Sequence, residues 1–476
     1  MADFTDIAHL HLNIRIIHRF VARLRGARGY TNESYEENFL YAFVVPILPY
    51  MIEQRLRLDP AYTQRFTAEL LVILGLISIP AAPIIGHLAD QTTSRKGPLL
   101  ISLLGCTIGT LLVASTISIW LVYAGRILQG IAGTGAWIIA FAMLAESAGT
   151  KHTGKILGLA NSFVTGGIIT GPAVSGVLLE WLGYWAAWSV PLGLLFIDLV
   201  ARLAMVDVRP EEKAKPDVSG TATPTQESAQ GEDSPLLQAT STADEQVAEK
   251  PARNFYSVIL RYSGAWAAMC NVVAFGVIMS AFDATLPLHL RDIFGWGPAS
   301  TGSLFLGLQI PAMLTAPLIG WLRDRIGLRW PTSIGWVITA PLLWFTGVPD
   351  KSNFLGVGDG ATGERAFVAT IVGIGLTMSL MRGAGAFQLT SLLFELKAQD
   401  PYMFGPGGGS SRMFSLTEIS FNVGLLVGPI LCAAITDAFG YYYTACTLAT
   451  VSLLTGITSF LFFSHRSQVR EQVSPS

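Results

Sequence analysis

The chain has 476 residues, 51% of them hydrophobic and only 13% charged, against the roughly 25% charged that is usual in a soluble globular domain. A formal net charge of −2 leaves no basic surplus for holding nucleic acid, and the composition describes a polytopic membrane protein. Cys106, Cys270, Cys432 and Cys446 all lie in apolar runs without metal-ligand spacing, so they read as small packing residues and no metal site is expected.

Residues 1–36 carry Arg15, Arg19, Arg23, Arg25 and Arg28 but no apolar run long enough to span and no signal-peptide pattern; a cytoplasmic segment is expected. Apolar runs follow at about 38 to 54, 67 to 88, 98 to 118, 120 to 145, 156 to 182 and 184 to 206. Each approaches the ~20 residues that a bilayer requires, which predicts a first six-helix bundle over 37–206. Residues 207–261 form the predicted linker. Its acidic, Pro, Ser, Thr and Ala residues bury too little surface to offset chain entropy, so disorder is expected. Six more runs, at about 262 to 290, 299 to 322, 330 to 348, 366 to 394, 411 to 437 and 440 to 464, predict a second bundle over 262–464, followed by a tail at 465–476.

The halves share sequence. Pro83-Ile-Ile-Gly86-His-Leu-Ala-Asp90 follows the second span and Pro317-Leu-Ile-Gly320-Trp-Leu-Arg-Asp324-Arg325 the eighth, while Gly171-Pro172 in the fifth span is echoed by Gly428-Pro429 in the eleventh. Such matches predict a duplicated bundle with substrate held near the midplane between the halves. Basic residues accumulate on the cytoplasmic side. Only Arg55, Arg57, Arg65, Arg291, Lys351 and Arg365 fall in loops that would be outer if the amino terminus is inside, so both termini and the linker are expected in the cytoplasm.

Within the fifth span, Gly158, Gly167, Gly171 and Gly176 recur at helical spacing. They predict a face bare enough for a neighbouring backbone to approach, with a kink at Pro172. Ionised groups inside spans are costly and are functional candidates by default. Asp283 lies deep in the seventh span and Glu418 about a third of the way into the eleventh; either can exchange a proton as access alternates. Glu395 borders an inner loop. Arg126 opens a small-residue face in the fourth span, open to proton coupling or to a static pair with a helix-1 carboxyl, and Arg382 stands mid-way along the tenth, where it would offset an acid. Asp198 and Arg202, one turn apart, read as a structural ion pair.

Six plus six spans, the run Gly158 to Gly176 and the paired Gly-x-x-x-Asp loops resemble the major facilitator superfamily. The finer similarity is to its twelve-span drug:proton antiporters, in the vesicular-amine-transporter-like branch common in fungi. It is carried by the segment from Glu37 to Pro49, Arg126-Ile-Leu-Gln-Gly130, Asp283-Ala-Thr-Leu-Pro287, Leu393-Phe-Glu395 and Glu418-Ile-Ser-Phe-Asn-Val-Gly424. The resemblance implies an all-α polytopic fold of twelve transmembrane helices in two pseudo-symmetric six-helix bundles. It implies that Glu37, Asp283, Glu395 and Glu418 are the coupling acids, shared between protons and a cationic or amphiphilic substrate. Leu74 stands where the amine transporters have a lysine, which speaks against a monoamine.

The expected function is a proton-coupled antiporter that exports small organic compounds such as drugs, toxins or secondary metabolites, acting as a monomer in the plasma or vacuolar membrane, driven by the proton gradient and without a cofactor. The alternatives are a uniporter or symporter for sugars, carboxylates or amines, and a membrane receptor or scaffold that no longer transports. No nucleophile and base, metal cluster or phosphate loop occupies a plausible aqueous site, so an enzyme is not expected.

Overall fold

The computed structural model describes residues 38–40, 42–59, 63–92, 94–116, 118–204, 254–296, 298–350, 360–400, 403–405 and 408–463, and no strand occurs among them. Helix is the form that satisfies backbone N–H and C=O groups within a single segment, as hydrocarbon demands. A short α1 (Leu48–Tyr50) precedes α2 (Thr63–Gln91), α3 (Lys96–Ser115), α4 (Ile119–Leu182) and α5 (Tyr184–Ala204). A short α6 (Phe255–Ile259) then leads to α7 (Ser263–Phe294), α8 (Pro298–Ile326), α9 (Arg329–Thr346), α10 (Ala361–Met381), α11 (Ala384–Gln399), α12 (Ser410–Phe439) and α13 (Tyr441–Phe462). Among the described residues, 10 stretches are long and apolar enough to cross a membrane. The 18-residue α9 takes the place of the ninth predicted span; it is tied to its neighbours by Ser452 Oγ donating to the Trp336 carbonyl at 2.7 Å and by Thr339 Oγ1 donating to Thr377 Oγ1 at 2.7 Å.

The structure departs from the sequence expectations in four places. Most of the predicted linker lies outside the described residues, but its end is folded: Asn254 caps α6 by accepting the N–H groups of Tyr256 and Ser257, and Phe255 and Ile259 are buried. The predicted loop between the fourth and fifth spans is helical, so α4 contains both candidate spans, Ile119–Ala148 and Thr153–Leu182. No proline interrupts residues 146–155 to stop helical hydrogen bonding. The tenth predicted span is broken between α10 and α11, where Gly383 adopts φ +71°, a left-handed conformation natural to glycine. Finally, the fifth-span glycines do not share one face. A Cβ on Gly158 would come 2.7 Å from the Ala316 carbonyl oxygen of α8, whereas one on Gly171 would come 2.7 Å from the Phe39 carbonyl oxygen and 2.9 Å from the Phe43 nitrogen. Gly176 meets no neighbour within 4 Å, and Gly167 is buried. Helical structure continues past Pro172.

Large apolar side chains cover the outside, Ile101 and Ile430 each being 72% exposed, which suits contact with lipid. Inside, small residues set the helix spacing, because hydrocarbon tails are as apolar as leucine and association depends on close fit. α7 and α12 cross where a Cβ on Gly424 would lie 2.9 Å from Gly276 Cα. Gly424→Leu is therefore expected to destabilise the protein by about 1–3 kcal/mol through overpacking, read as a lower thermal midpoint in detergent. An unchanged midpoint would mean that these helices separate at no cost.

Candidate functional site

Two carboxylates join helices from opposite halves of the chain. Asp90, at the end of α2, is 1% exposed and accepts the backbone N–H groups of Ser411 (2.9 Å) and Arg412 (3.0 Å), in the first turn of α12. Arg412 Nε donates to the same carboxylate at 3.0 Å, and Arg95 reaches it at 3.3 Å while bonding Glu146 at 2.8 Å and Ser411 Oγ at 2.5 Å. The second half answers in kind: Asp324, near the end of α8, accepts the N–H groups of Gly154 and Lys155, both at 2.8 Å. At Ser411 and Arg412, which open α12, the carboxylate is favoured by the partial positive charge of the helix start.

The repeated glycines explain how the backbones come close enough. A Cβ on Gly86 would lie 2.9 Å from the Ser411 carbonyl oxygen, and Gly320 packs directly on Gly154. Further along, Ser162 Oγ donates to the Met313 carbonyl at 2.8 Å. Arg325 is exposed, with its guanidinium 4.5 Å over the Trp321 ring. Tyr256 of α6 hydrogen-bonds across the same seam, to Ser415 Oγ at 3.2 Å and the Pro83 carbonyl at 3.4 Å, and burial raises its phenol above the usual tyrosine range.

The structure separates the remaining charged candidates. Glu37 lies outside the described residues. Asp283 and its neighbour Ala284 are exposed within a stretch of α7 where Phe282, Thr285 and Leu286 are buried, and Asp283 hydrogen-bonds to no side chain among the described residues. Glu418 is half-buried and accepts from Asn422 Nδ2 at 2.8 Å; Asn422 Oδ1 in turn lies 3.1 Å from where a Cβ on Gly75 of α2 would stand. Glu395 is exposed near the end of α11. Arg126, 1% exposed, donates to Gln129 Oε1 at 3.1 Å, and Gln129 continues to Thr110 of α3 at 2.9 Å. Arg382 lies at the α10–α11 break, where its Nη1 donates to Thr165 Oγ1 of α4 at 2.5 Å. Asp198 and Arg202 pair at 3.3 Å.

Of the aromatic residues, Trp137 and Phe141 meet in a tilted pair at 4.2 Å between ring centres, and Phe141 meets Phe414 of α12 at 5.7 Å. A separate groove of about 580 Å³ lies between α2 and α4, lined by Phe66, Glu69, Trp120 and Tyr123, with the Tyr123 hydroxyl on Glu69 at 2.5 Å.

Sequence reasoning missed Arg412, Arg323, Asn422 and Thr165. Arg412 had a faint signal, standing at the start of an apolar run, and Arg323 precedes the motif aspartate. Thr165 and Asn422 are marked only by the neighbours that folding gives them.

Ten apolar crossing stretches and a duplicated carboxylate-to-amide contact between the halves define a multi-pass helical membrane protein built on an internal repeat. The sequence model of the Major Facilitator Superfamily matches residues 38–397, and the chain belongs to that superfamily: it is of the transporter class, not an enzyme. An uncharacterised MFS-type transporter of Schizosaccharomyces pombe is 26% identical over 90% of this chain and 93% of its own length. A multidrug resistance protein, MdtG, of Proteus mirabilis is 24% identical over 85% of this chain and 88% of its own. The fold is similar to the crystal structure of the human organic anion transporter MFSD10 (TETRAN), with a TM-score of 0.64, 15% identity, and 92% and 99% of the two chains covered.

Removing one carboxylate is expected to release its amides. In Asp324→Ala, hydrogen exchange at Gly154 and Lys155 should accelerate roughly tenfold or more, as loss of charge-assisted hydrogen bonds implies. Exchange unchanged from the parent protein would show that other groups hold this contact.

Proposed function

We propose that the protein is a proton-coupled antiporter exporting small organic compounds of cationic or amphiphilic character. The observation that carries this reading is the placement of two carboxyls, Asp283 and Glu418, within membrane-crossing helices and outside any ion pair among the described residues. A carboxyl at such depth is costly as an anion and tolerable when protonated, so each suits a group that gains and loses a proton as its access changes. The multidrug resistance protein among the relatives is consistent with an export role.

In this reading the two bundles, residues 37–206 and 262–464, rock about a midplane cavity. Both termini face the cytoplasm and the chain works as a monomer in the plasma or vacuolar membrane. The Asp90 and Asp324 contacts then form the cytoplasmic gate, closed here, which makes this conformation the outward-facing one. Protonation of Asp283 or Glu418 favours one facing and deprotonation the other, and substrate shifts the balance through its different affinity for the two. Gly171 holds the fifth span against the segment at Phe39 and Phe43, where a leak path would otherwise open.

In sealed vesicles, Asp283→Asn and Glu418→Gln are each expected to lower proton-driven exchange by roughly tenfold or more with insertion unchanged. Normal coupled exchange in both variants would remove these acids from the mechanism. Gly171→Leu should insert yet transport poorly or leak protons, since its side chain has no room against Phe39 and Phe43; tight, normal exchange would leave that glycine a packing role alone.

A further inference from the structure

The break between α10 and α11 brings two arginines together, and the fold employs only one of them. Interrupting a helix in a membrane frees carbonyl groups that need donors. Arg323 supplies them, donating to the carbonyls of Ser379 (3.2 Å), Leu380 (2.7 Å) and Arg382 (3.0 Å). The structural demand of the break is thereby met without the side chain of Arg382.

That side chain meets neutral groups. Its Nη1 donates to Thr165 Oγ1 at 2.5 Å, and its guanidinium carbon stands 5.8 Å from the centre of the Phe275 ring. No carboxylate among the described residues forms an ion pair with it. Asp324 is engaged by the amides of Gly154 and Lys155 and Asp198 by Arg202, while Glu418, hydrogen-bonded to Asn422, and Asp283 stand outside any ion pair among the described residues. A guanidinium carries five N–H donors and stays charged at any physiological pH. Arg382 is half-buried, and the first turn of α11, which has no side-chain cap, begins two residues on. A permanent cation at membrane depth with neutral neighbours is stabilised when an anion arrives.

We propose that Arg382 is the anion-reading residue of the transport site: the exported molecule carries a carboxylate or comparable acidic group that binds this guanidinium beside Thr165, with an apolar ring against Phe275. The inference rests on the transport reading above and narrows it, making the substrate an acid-bearing amphiphile rather than a simple cation. Thr165 belongs to the first half of the chain and Arg382 and Phe275 to the second, so an anion seated here touches both halves and favours the facing in which they meet.

Rhodamine B, which bears a free carboxylate, and its ethyl ester, which does not, share a ring system and form a matched pair of probes. Binding of each to the purified full-length protein is measured in detergent, without a gradient. The parent protein should bind the acid more tightly than the ester by roughly tenfold or more. Arg382→Gln should abolish that preference with little effect on ester binding, while Arg382→Lys should retain part of it. Absence of any preference for the acid in the parent protein, whether both dyes bind alike or neither binds, overturns the proposal, as does a preference that survives Arg382→Gln. Because the parent protein's own preference is decisive, a variant that fails to insert does not blunt the test. Proton-driven movement of the dyes is assayed separately in vesicles; its absence would sink the transport reading, whereas the acid-over-ester binding preference decides this one.

Discussion

The arrangement of the whole molecule turns on a carboxylate from one half of the chain accepting backbone N–H groups from the other. Asp90 does this at the start of α12, and Asp324 at Gly154 and Lys155 within the long α4. The amides of Ser411 and Arg412, in the first turn of α12, have no partner within that helix, and this end of α12 is buried. An ionised acceptor there gives short, charge-assisted bonds. Such a contact depends on geometry over a few tenths of an ångström, so it is either made or lost. Two of them are placed by the same repeated sequence, and in the transport reading proposed above their making and loss together is what alternation between facings demands.

Glycine makes that geometry attainable. Gly86 and Gly320 stand one turn before their aspartates, and a Cβ at either would collide with backbone across the seam. The same device recurs within the second half, at Gly276 and Gly424. Lipid gives helices no hydrophobic reason to associate, so contact must come from dispersion between closely fitted surfaces and from hydrogen bonds. Close approach therefore does for this protein what a buried apolar core does for a soluble one. The fifth-span glycines show how far sequence periodicity can mislead on this point: Gly158 and Gly171 both admit a neighbouring backbone, yet one serves α8 and the other the segment from Phe39 to Phe43.

That the chain is helical, and where most of its spans fall, was legible because apolar runs of bilayer length leave little choice of structure. The repeated Gly-x-x-x-Asp motif marked the seam, though not its partners. Arg412 and Gly154 are remote in sequence from the aspartates they meet, and only tertiary folding joins them. The break in the tenth span was hidden for a different reason. Arg382-Gly383 interrupts an apolar run too briefly to divide it by composition, and glycine is common in membrane helices, so nothing local announced the left-handed turn at Gly383. The groove holding Glu69 was also missed, since its carboxyl finds Tyr123 from another helix.

Charged residues at similar depth look alike in sequence, and the structure divides them by what they touch. Arg202 has Asp198, Arg412 has Asp90, and Arg323 has three carbonyls; each of these charges is accounted for by the fold itself. Arg382 meets a hydroxyl and an aromatic ring, and Asp283 stands exposed among buried neighbours. A charge satisfied by the fold has little to gain from a ligand, because any new partner must displace a good one. A charge with only neutral neighbours gains the full interaction when a counter-charge or a proton arrives. That difference in available free energy, more than depth in the membrane, selects the residues on which a transport cycle can act.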